Sequence, residues 1–426
     1  MRRSRWPAAS ALAATLMLGI VAAGCGDGDT GGGGGAGGGD VGALKIAILV
    51  PLTGALADFG GPAQKGGELG VAELNKAAQA SGVSLDVTSV AADTETDARP
   101  AQEAATKVVE SDGAKCIAGP MASSEVISVA QNVTVDAGIP IISPSSTASS
   151  VRVDVTDNGT VFRVPPPDSL QGPLLAQRIY NETKGGKVNV AGQNDAYGTG
   201  LIKEFTAAYE KLGGAVGASV TFNIDAASYN AEARQITGGD PAAIAIFTFP
   251  ESWAKLGPAL ARSGNFDPKT TWGTDGLRSK DLPKNSGTAT TEGLRGTAPT
   301  DTGNTLAPEF QKLWDAGNLG TRQTYDVQMF DAAVLCGLAA VAAGSSAPAD
   351  IAAKVREVSG PPGTQYTFQQ LGDALTALKA GEDIDYTGAS GPIDLAENGD
   401  PGVGDYLVWE YKGGKLVDGT EIIKAE

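Results

Sequence analysis

The 426-residue chain carries 32 Lys+Arg against 49 Asp+Glu, a formal charge of −17, and no histidine. So acidic a balance repels nucleic-acid phosphates and anionic lipid headgroups, which excludes a nucleic-acid role and electrostatic attachment to a membrane. The lack of histidine excludes Ser-His, Cys-His and His-metal chemistry together.

Arg2, Arg3 and Arg5 precede an apolar run from Ala8 to Ala23. A basic start followed by a short apolar stretch reads as an export signal over 1–24, and it falls short of the ~20 apolar residues a membrane span needs. The run ends in Ala22-Ala23-Gly24-Cys25, which resembles the lipobox of bacterial lipoproteins, although Leu is usual where Ala22 stands. The resemblance implies lipidation of Cys25. Residues 26–40 are mostly glycine and cannot bury a core, so 25–43 is expected to be a flexible tether. Gly26, Gly28 and Gly31 match a dinucleotide fingerprint by letter only, because neither the strand nor the helix that motif needs is adjacent. The expected location is outside the cytoplasmic membrane, at the cell surface or in the periplasm, held by lipid alone.

From Leu44 a regular alternation begins. Short apolar runs at Leu44–Val50, Ser84–Val90, Lys115–Gly119 and Ile139–Ser143 read as strands, and the first is continuous, as a strand buried on both faces should be. Segments of helical spacing separate them, the first following the loop PLTGALADFG. This order predicts a parallel sheet with helices on both faces. Val161–Val164 leads into PPPDSLQGP, a rigid, linker-like stretch. A second series follows. Helices are expected over Leu170–Glu182, Tyr197–Leu212, Tyr229–Thr237 and Ser252–Ser263, and strands over Lys187–Ala191, Val216–Phe222, Ala243–Thr248 and Thr270–Gly273. Further helices are expected over Leu306–Ala316, Thr321–Ala343, Ile351–Val358 and Phe368–Lys379, then a strand over Asp405–Tyr411. The length from Leu44 onward suits two lobes better than one core. Cys116 and Cys336 are either bridged, as the compartment allows, or two separate buried thiols.

The stretches IAILVPLTGALADFG, IAGPMASSEV, IPIISPSSTA, FRVPPPDSLQGP, DAYGTGL, FTFPESW, WGTDGLRSKDL and MFDAAVLCGLAA resemble, in order and spacing, the leucine/isoleucine/valine-binding family of ABC importer binding proteins. The resemblance covers nearly all of 44–426. It implies an α/β fold of two doubly wound, Rossmann-like lobes joined by crossover strands, the type I periplasmic-binding fold. Crossovers are expected near Pro165, Thr297 and Pro392. Lobe one is then 44–164 plus 298–391, and lobe two is 165–297 plus 392–426. The implied protein is a monomer that captures a small molecule, an amino acid, and hands it to membrane-embedded permease subunits. No cofactor or metal is expected.

An amino-acid zwitterion needs N–H and O–H donors for its carboxylate and acidic or carbonyl acceptors for its ammonium. Ser123, Ser145 and Thr147 lie just after predicted strands, where ligands of doubly wound sheets bind. Each also suits a helix cap; the resemblance implies that they hold the ligand carboxylate. It likewise implies that Asp275 pairs with the ammonium and that Tyr197 closes over the ligand. Phe59, on the first loop, and Phe249, or its neighbour Thr248, would build the apolar wall with Tyr325.

Two enzymatic readings carry less. Ser252-x-x-Lys255 matches a Ser-Lys hydrolase signature, but the accompanying Ser-Asp-Asn and Lys-Thr-Gly motifs are missing. Asp93, Glu95 and Asp97 read as a solvated loop after a strand. A ligand sensor of the same fold, without transport, is the nearer alternative, since fold alone does not fix function.

Overall fold

The computed structural model describes residues 39–224, 226–300, 305–402 and 404–425. The export signal, Cys25 and nearly all of the tether lie outside the described residues.

The first apolar run forms β1 (Gly42–Val50), paired in parallel with β2 (Leu85–Asp93) and β3 (Cys116–Ala118). β4 (Ile141–Ser143) and β5 (Val161–Arg163) complete a parallel sheet in the order β2-β1-β3-β4-β5. Alternate residues of β1 serve opposite faces. Ile46, Ile48 and Val50 join one core, while Ala47 and Leu49 join another with Ala101, Val108 and Val126. A strand needed on both sides must be apolar throughout.

Lobe two holds β6 (Val188–Gln193), β7 (Val216–Phe222), β8 (Ala243–Phe247), β9 (Thr271–Gly273) and β10 (Arg295–Pro299). The chain then returns to lobe one, where β11 (Thr364–Thr367), β12 (Ile384–Gly388) and β13 (Gly391–Pro392) make a small sheet. It ends in lobe two as an antiparallel hairpin, β14 (Gly404–Lys412) and β15 (Lys415–Ala425), laid beside β10. The second sheet therefore runs β15-β14-β10-β9-β8-β6-β7.

Two buried helices, Ala57–Ser81 and Asp326–Ala343, cross lobe one in close contact. Glycine permits it: a Cβ at Gly66 would stand 2.1 Å from the Asp326 carbonyl oxygen, and one at Gly70 2.7 Å from that of Phe330. The Asp326–Ala343 helix is long and apolar enough to cross a membrane, but here it is the core of lobe one. Cys336 within it is disulfide-bonded to Cys116 of β3, with an S–S distance of 1.94 Å.

Several boundaries differ from expectation. The helix expected from Thr321 begins at Asp326, because Tyr325 adopts a left-handed conformation (φ 73°) that a helix cannot continue. Phe59 belongs to the first turn of a helix, not to a loop. Thr297 lies inside β10 and Pro392 inside β13, so the chain leaves lobe two only after Pro299 and leaves lobe one only after Pro401. β10 through β13 and β15 had too little apolar alternation to be seen as strands.

Candidate functional site

Parallel strands deliver their following loops to one edge of each sheet. In lobe one, the segment after β3 carries Met121, Ala122 and Ser123, and the segment after β4 carries Ser145 and Thr147. In lobe two, Tyr197 follows β6, Phe249 follows β8, and Asp275 follows β9. The two edges face each other. Between them lies a narrow cleft lined by Leu56, Phe59, Met121, Ala122, Ser123, Ser145, Tyr197, Phe249, Asp275, Gly276 and Tyr325.

Seven of the eight expected residues line this space; Thr147 does not. Its side chain is wholly buried, and its hydroxyl stands beside the Asp168 carboxylate. The hydroxyl of Ser123 accepts from the Ala148 amide at 3.2 Å, which leaves its own hydrogen available to a ligand. Ser145 differs. Its hydroxyl donates to the Met121 carbonyl at 2.8 Å and so turns lone pairs, not a hydrogen, toward the cavity. The lone pairs suit an ammonium better than a carboxylate.

The lobe-two wall is a polar knot behind an aromatic pair. Tyr197 and Phe249 stack with ring centroids 5.1 Å apart. Thr248 faces away and donates to Gln193 at 3.0 Å, so Phe249 is the member of that pair at the cavity. The Tyr197 hydroxyl donates to Asp275 Oδ1 at 3.1 Å and lies 2.7 Å from Thr274 Oγ1. It also accepts from the Gly276 amide at 3.2 Å. A Cβ at Gly276 would stand 2.6 Å from the Thr248 carbonyl oxygen, so only glycine lets this backbone approach. The Tyr325 hydroxyl is buried beside the Asp275 carboxylate and donates to it.

Burial pushes the Asp275 carboxyl up to about 6, against the hydroxyls of Tyr325 and Tyr197, which favour the charged form. A second acid, absent from the sequence-based set, stands nearby. Asp168 opens the Asp168–Thr183 helix and is fully buried, with the Thr147 hydroxyl beside its carboxylate. Burial first, and the Asp275 charge second, hold its carboxyl well above the usual range. In the sequence, PPPDSLQGP read as a linker with a helix-starting acid, and nothing local distinguishes a solvated cap from a buried one. The signal that could have found it is positional: it follows β5 as Asp275 follows β9.

The other candidates do ordinary work. Ser252 is buried with an unpaired hydroxyl, while Lys255 is half-exposed and paired with Glu251 at 3.7 Å, so the two form no nucleophile–base pair. Asp93 accepts from the amides of Leu52 and Thr53, and Asp97 caps a helix through the Arg99 amide. Among the described residues no group of three or more acidic or cysteine side chains could hold a metal ion.

A family model described as periplasmic binding protein matches residues 43–415. The chemotactic signal transduction system substrate-binding protein BasB of Halobacterium salinarum is 26% identical over 85% of this chain and 86% of its own length. A leucine-, isoleucine-, valine-, threonine- and alanine-binding protein of Pseudomonas aeruginosa is 27% identical over 60% of this chain and 66% of its own length. The substrate-binding protein LivJ of Streptococcus pneumoniae, solved with isoleucine, has the same fold: TM-score 0.73 at 20% identity, covering 90% of this chain and 99% of that one.

Proposed function

The chain belongs to the periplasmic binding protein family, and we propose that it is the extracytoplasmic, lipid-anchored binding component of an ABC importer for an amino acid with an apolar side chain. One observation carries the reading: the cleft between the facing strand edges brings together a hydroxyl donor from lobe one, an acid from lobe two and apolar side chains from both. Ser123, on lobe one, donates to the ligand carboxylate together with backbone amides at the start of its helix. Asp275, on lobe two and supported by Tyr197 and Tyr325, receives the ammonium. Leu56, Phe59, Met121 and Phe249 enclose the side chain, and none of them offers a polar atom to one. A ligand held by its two ends from two lobes binds the closed arrangement better than the open one, so binding and closure are one equilibrium. The Ala22–Cys25 segment and the glycine-rich stretch after it support the lipid anchor. The similarity to the Pseudomonas aeruginosa binding protein supports the ligand class.

A second reading keeps the ligand and changes the output: a receptor that reports the amino acid to a signalling system. The similarity to BasB over most of both chains favours it.

A thermal-shift panel of L-amino acids, amides and aromatic acids tests the ligand. A ligand at a thousand times its Kd adds about 4 kcal/mol, a shift of several degrees. A response to leucine, isoleucine or valine supports the reading. A response only to molecules without an amino group overturns the part assigned to Asp275. Loss of labelled amino-acid uptake on deletion of the gene identifies an importer; loss of taxis with uptake intact identifies a receptor.

A further inference from the structure

The segment Ser145–Ala148 is tied to two of the three passages between the lobes. At the first passage, the Asp168 amide donates to the Thr147 carbonyl at 2.8 Å. At the third, the tie runs through two charged side chains. Asp400 lies just before the chain crosses from Pro401 to Gly404. Its carboxylate receives a two-pronged contact from Arg163, Nε to Oδ1 at 2.6 Å and Nη2 to Oδ2 at 2.7 Å. The remaining arm of Arg163, Nη1, reaches the Ala148 carbonyl at 2.8 Å and the Ser146 carbonyl at 3.5 Å. The amide of the same residue, Ala148, donates to Ser123 Oγ. Arg163 and Asp400 are almost fully buried, so neither is a surface pair whose geometry solvent would loosen.

Arg152 also donates to Asp400, Nε to Oδ1 at 2.7 Å, but its remaining contacts go to Asp157 and Val161, away from the ligand segment. Of the two arginines, Arg163 is the one that connects Asp400 to the Ser146–Ala148 carbonyls. Without Asp400 its guanidinium would keep two backbone carbonyls and lose the acid that fixes its plane.

We propose that Asp400 is a positioning residue for ligand binding: through Arg163 it holds the Ser146 and Ala148 carbonyls, and so sets Ser123 and Ser145 in register with the hinge. The inference rests on the cavity being the ligand site, as proposed above. Neither Asp400 nor Arg163 is among the residues lining the cavity, so contact with ligand does not account for an effect of their substitution.

Calorimetric titration with L-leucine tests it, in the wild-type protein, Asp400→Asn, the double variant Asp400→Asn/Arg163→Gln, and Arg152→Ala, each well below its melting temperature. The expected result is a Kd at least tenfold weaker in Asp400→Asn, no further weakening in the double variant, and a change under twofold in Arg152→Ala. Affinity within twofold of wild type in Asp400→Asn, with only the melting temperature lowered, makes the tie purely structural and overturns the inference. If the wild-type protein takes none of leucine, isoleucine and valine, the amino-acid reading fails by itself, and amide hydrogen exchange decides the positioning role. Exchange of the Thr147 and Ala148 amides should then be at least tenfold faster in Asp400→Asn while the β4 amides are unchanged; unaltered exchange overturns it.

Discussion

The Tyr197 hydroxyl donates to Asp275 Oδ1 at 3.1 Å while accepting from the Gly276 amide at 3.2 Å, so one phenol fixes both the acid of the cavity and the backbone beside it. Tyr197→Phe keeps the stack on Phe249 and removes only this clamp. A hydrogen bond to a charged group is worth about 1.5–3 kcal/mol, and the substitution leaves a buried amide unpaired as well. Amino-acid affinity is expected to fall roughly 10- to 100-fold, with little change for any ligand that lacks an ammonium. Titration of the variant checks this; equal losses for both ligand types would place the role of Tyr197 in closure and not in support of Asp275.

Most of this architecture was legible in the sequence because a doubly wound lobe writes itself as apolar runs alternating with helical spacing. β1, β3 and β4 are buried on both faces and were plain. β11 (TQYT) and β15, with a polar or charged residue at many positions, gave no such run. The cavity residues were legible by position after strands. What the sequence could not give was which hydroxyl hydrogen is already taken, as at Ser145, or which acid is wholly buried, as at Asp168. Both depend on contacts between segments far apart in the chain.

Asp275 makes binding and stability respond to pH in opposite senses. Its carboxyl titrates near 6 in the folded protein against an ordinary value of 3.8, so the folded state keeps a proton the unfolded chain gives up. That contribution to stability is complete below about 3.8 and is lost as pH rises through 6, a cost of about 3 kcal/mol at neutral pH. Asp275→Asn removes the charge and keeps the size. Without ligand, the variant should melt higher than wild type at pH 7.5, with the difference vanishing by pH 4. Ligand affinity in the wild type should decline as pH falls below 6, since an ammonium needs the ionised acid. Differential scanning of both proteins across this range decides it; equal melting temperatures at pH 7.5 would mean that the carboxylate is compensated.

The Cys116–Cys336 bond closes a loop with a sequence separation of 220 and joins β3, which leads into Ser123, to the central helix of lobe one. Disulfides of long loops stabilise by about 2–5 kcal/mol, mainly by restricting the unfolded chain. Both sulfurs are fully buried, so reduction requires opening of lobe one. A Cys116→Ala/Cys336→Ala variant should lose this amount in denaturant unfolding while its ligand affinity at 25 °C stays within about threefold. A reduced wild-type protein that matches the oxidised one in stability would contradict the assignment.

The lobes are clasped along one rim by residues that never touch the cavity. Ser279, four residues past Asp275, donates to Asp58 of lobe one at 2.6 Å. Around it, Arg278 Nη1 donates to Thr324 at 2.9 Å, the Lys280 amide donates to Gln323 at 3.1 Å, and Gln323 returns a bond to Asp281 at 2.8 Å. These contacts bridge the two lobes in this arrangement, and each contributes about 1 kcal/mol. They lower the free energy of the closed state whether or not ligand is present, and therefore raise apparent affinity by raising the closed fraction. Ser279→Ala with Gln323→Ala should weaken amino-acid binding by roughly 10-fold or more, with faster dissociation, and should increase the radius of gyration of the ligand-free protein in small-angle scattering. If the radius is unchanged while affinity falls, the clasp acts on the Asp275 segment locally; if neither moves, the closed state owes nothing to this rim.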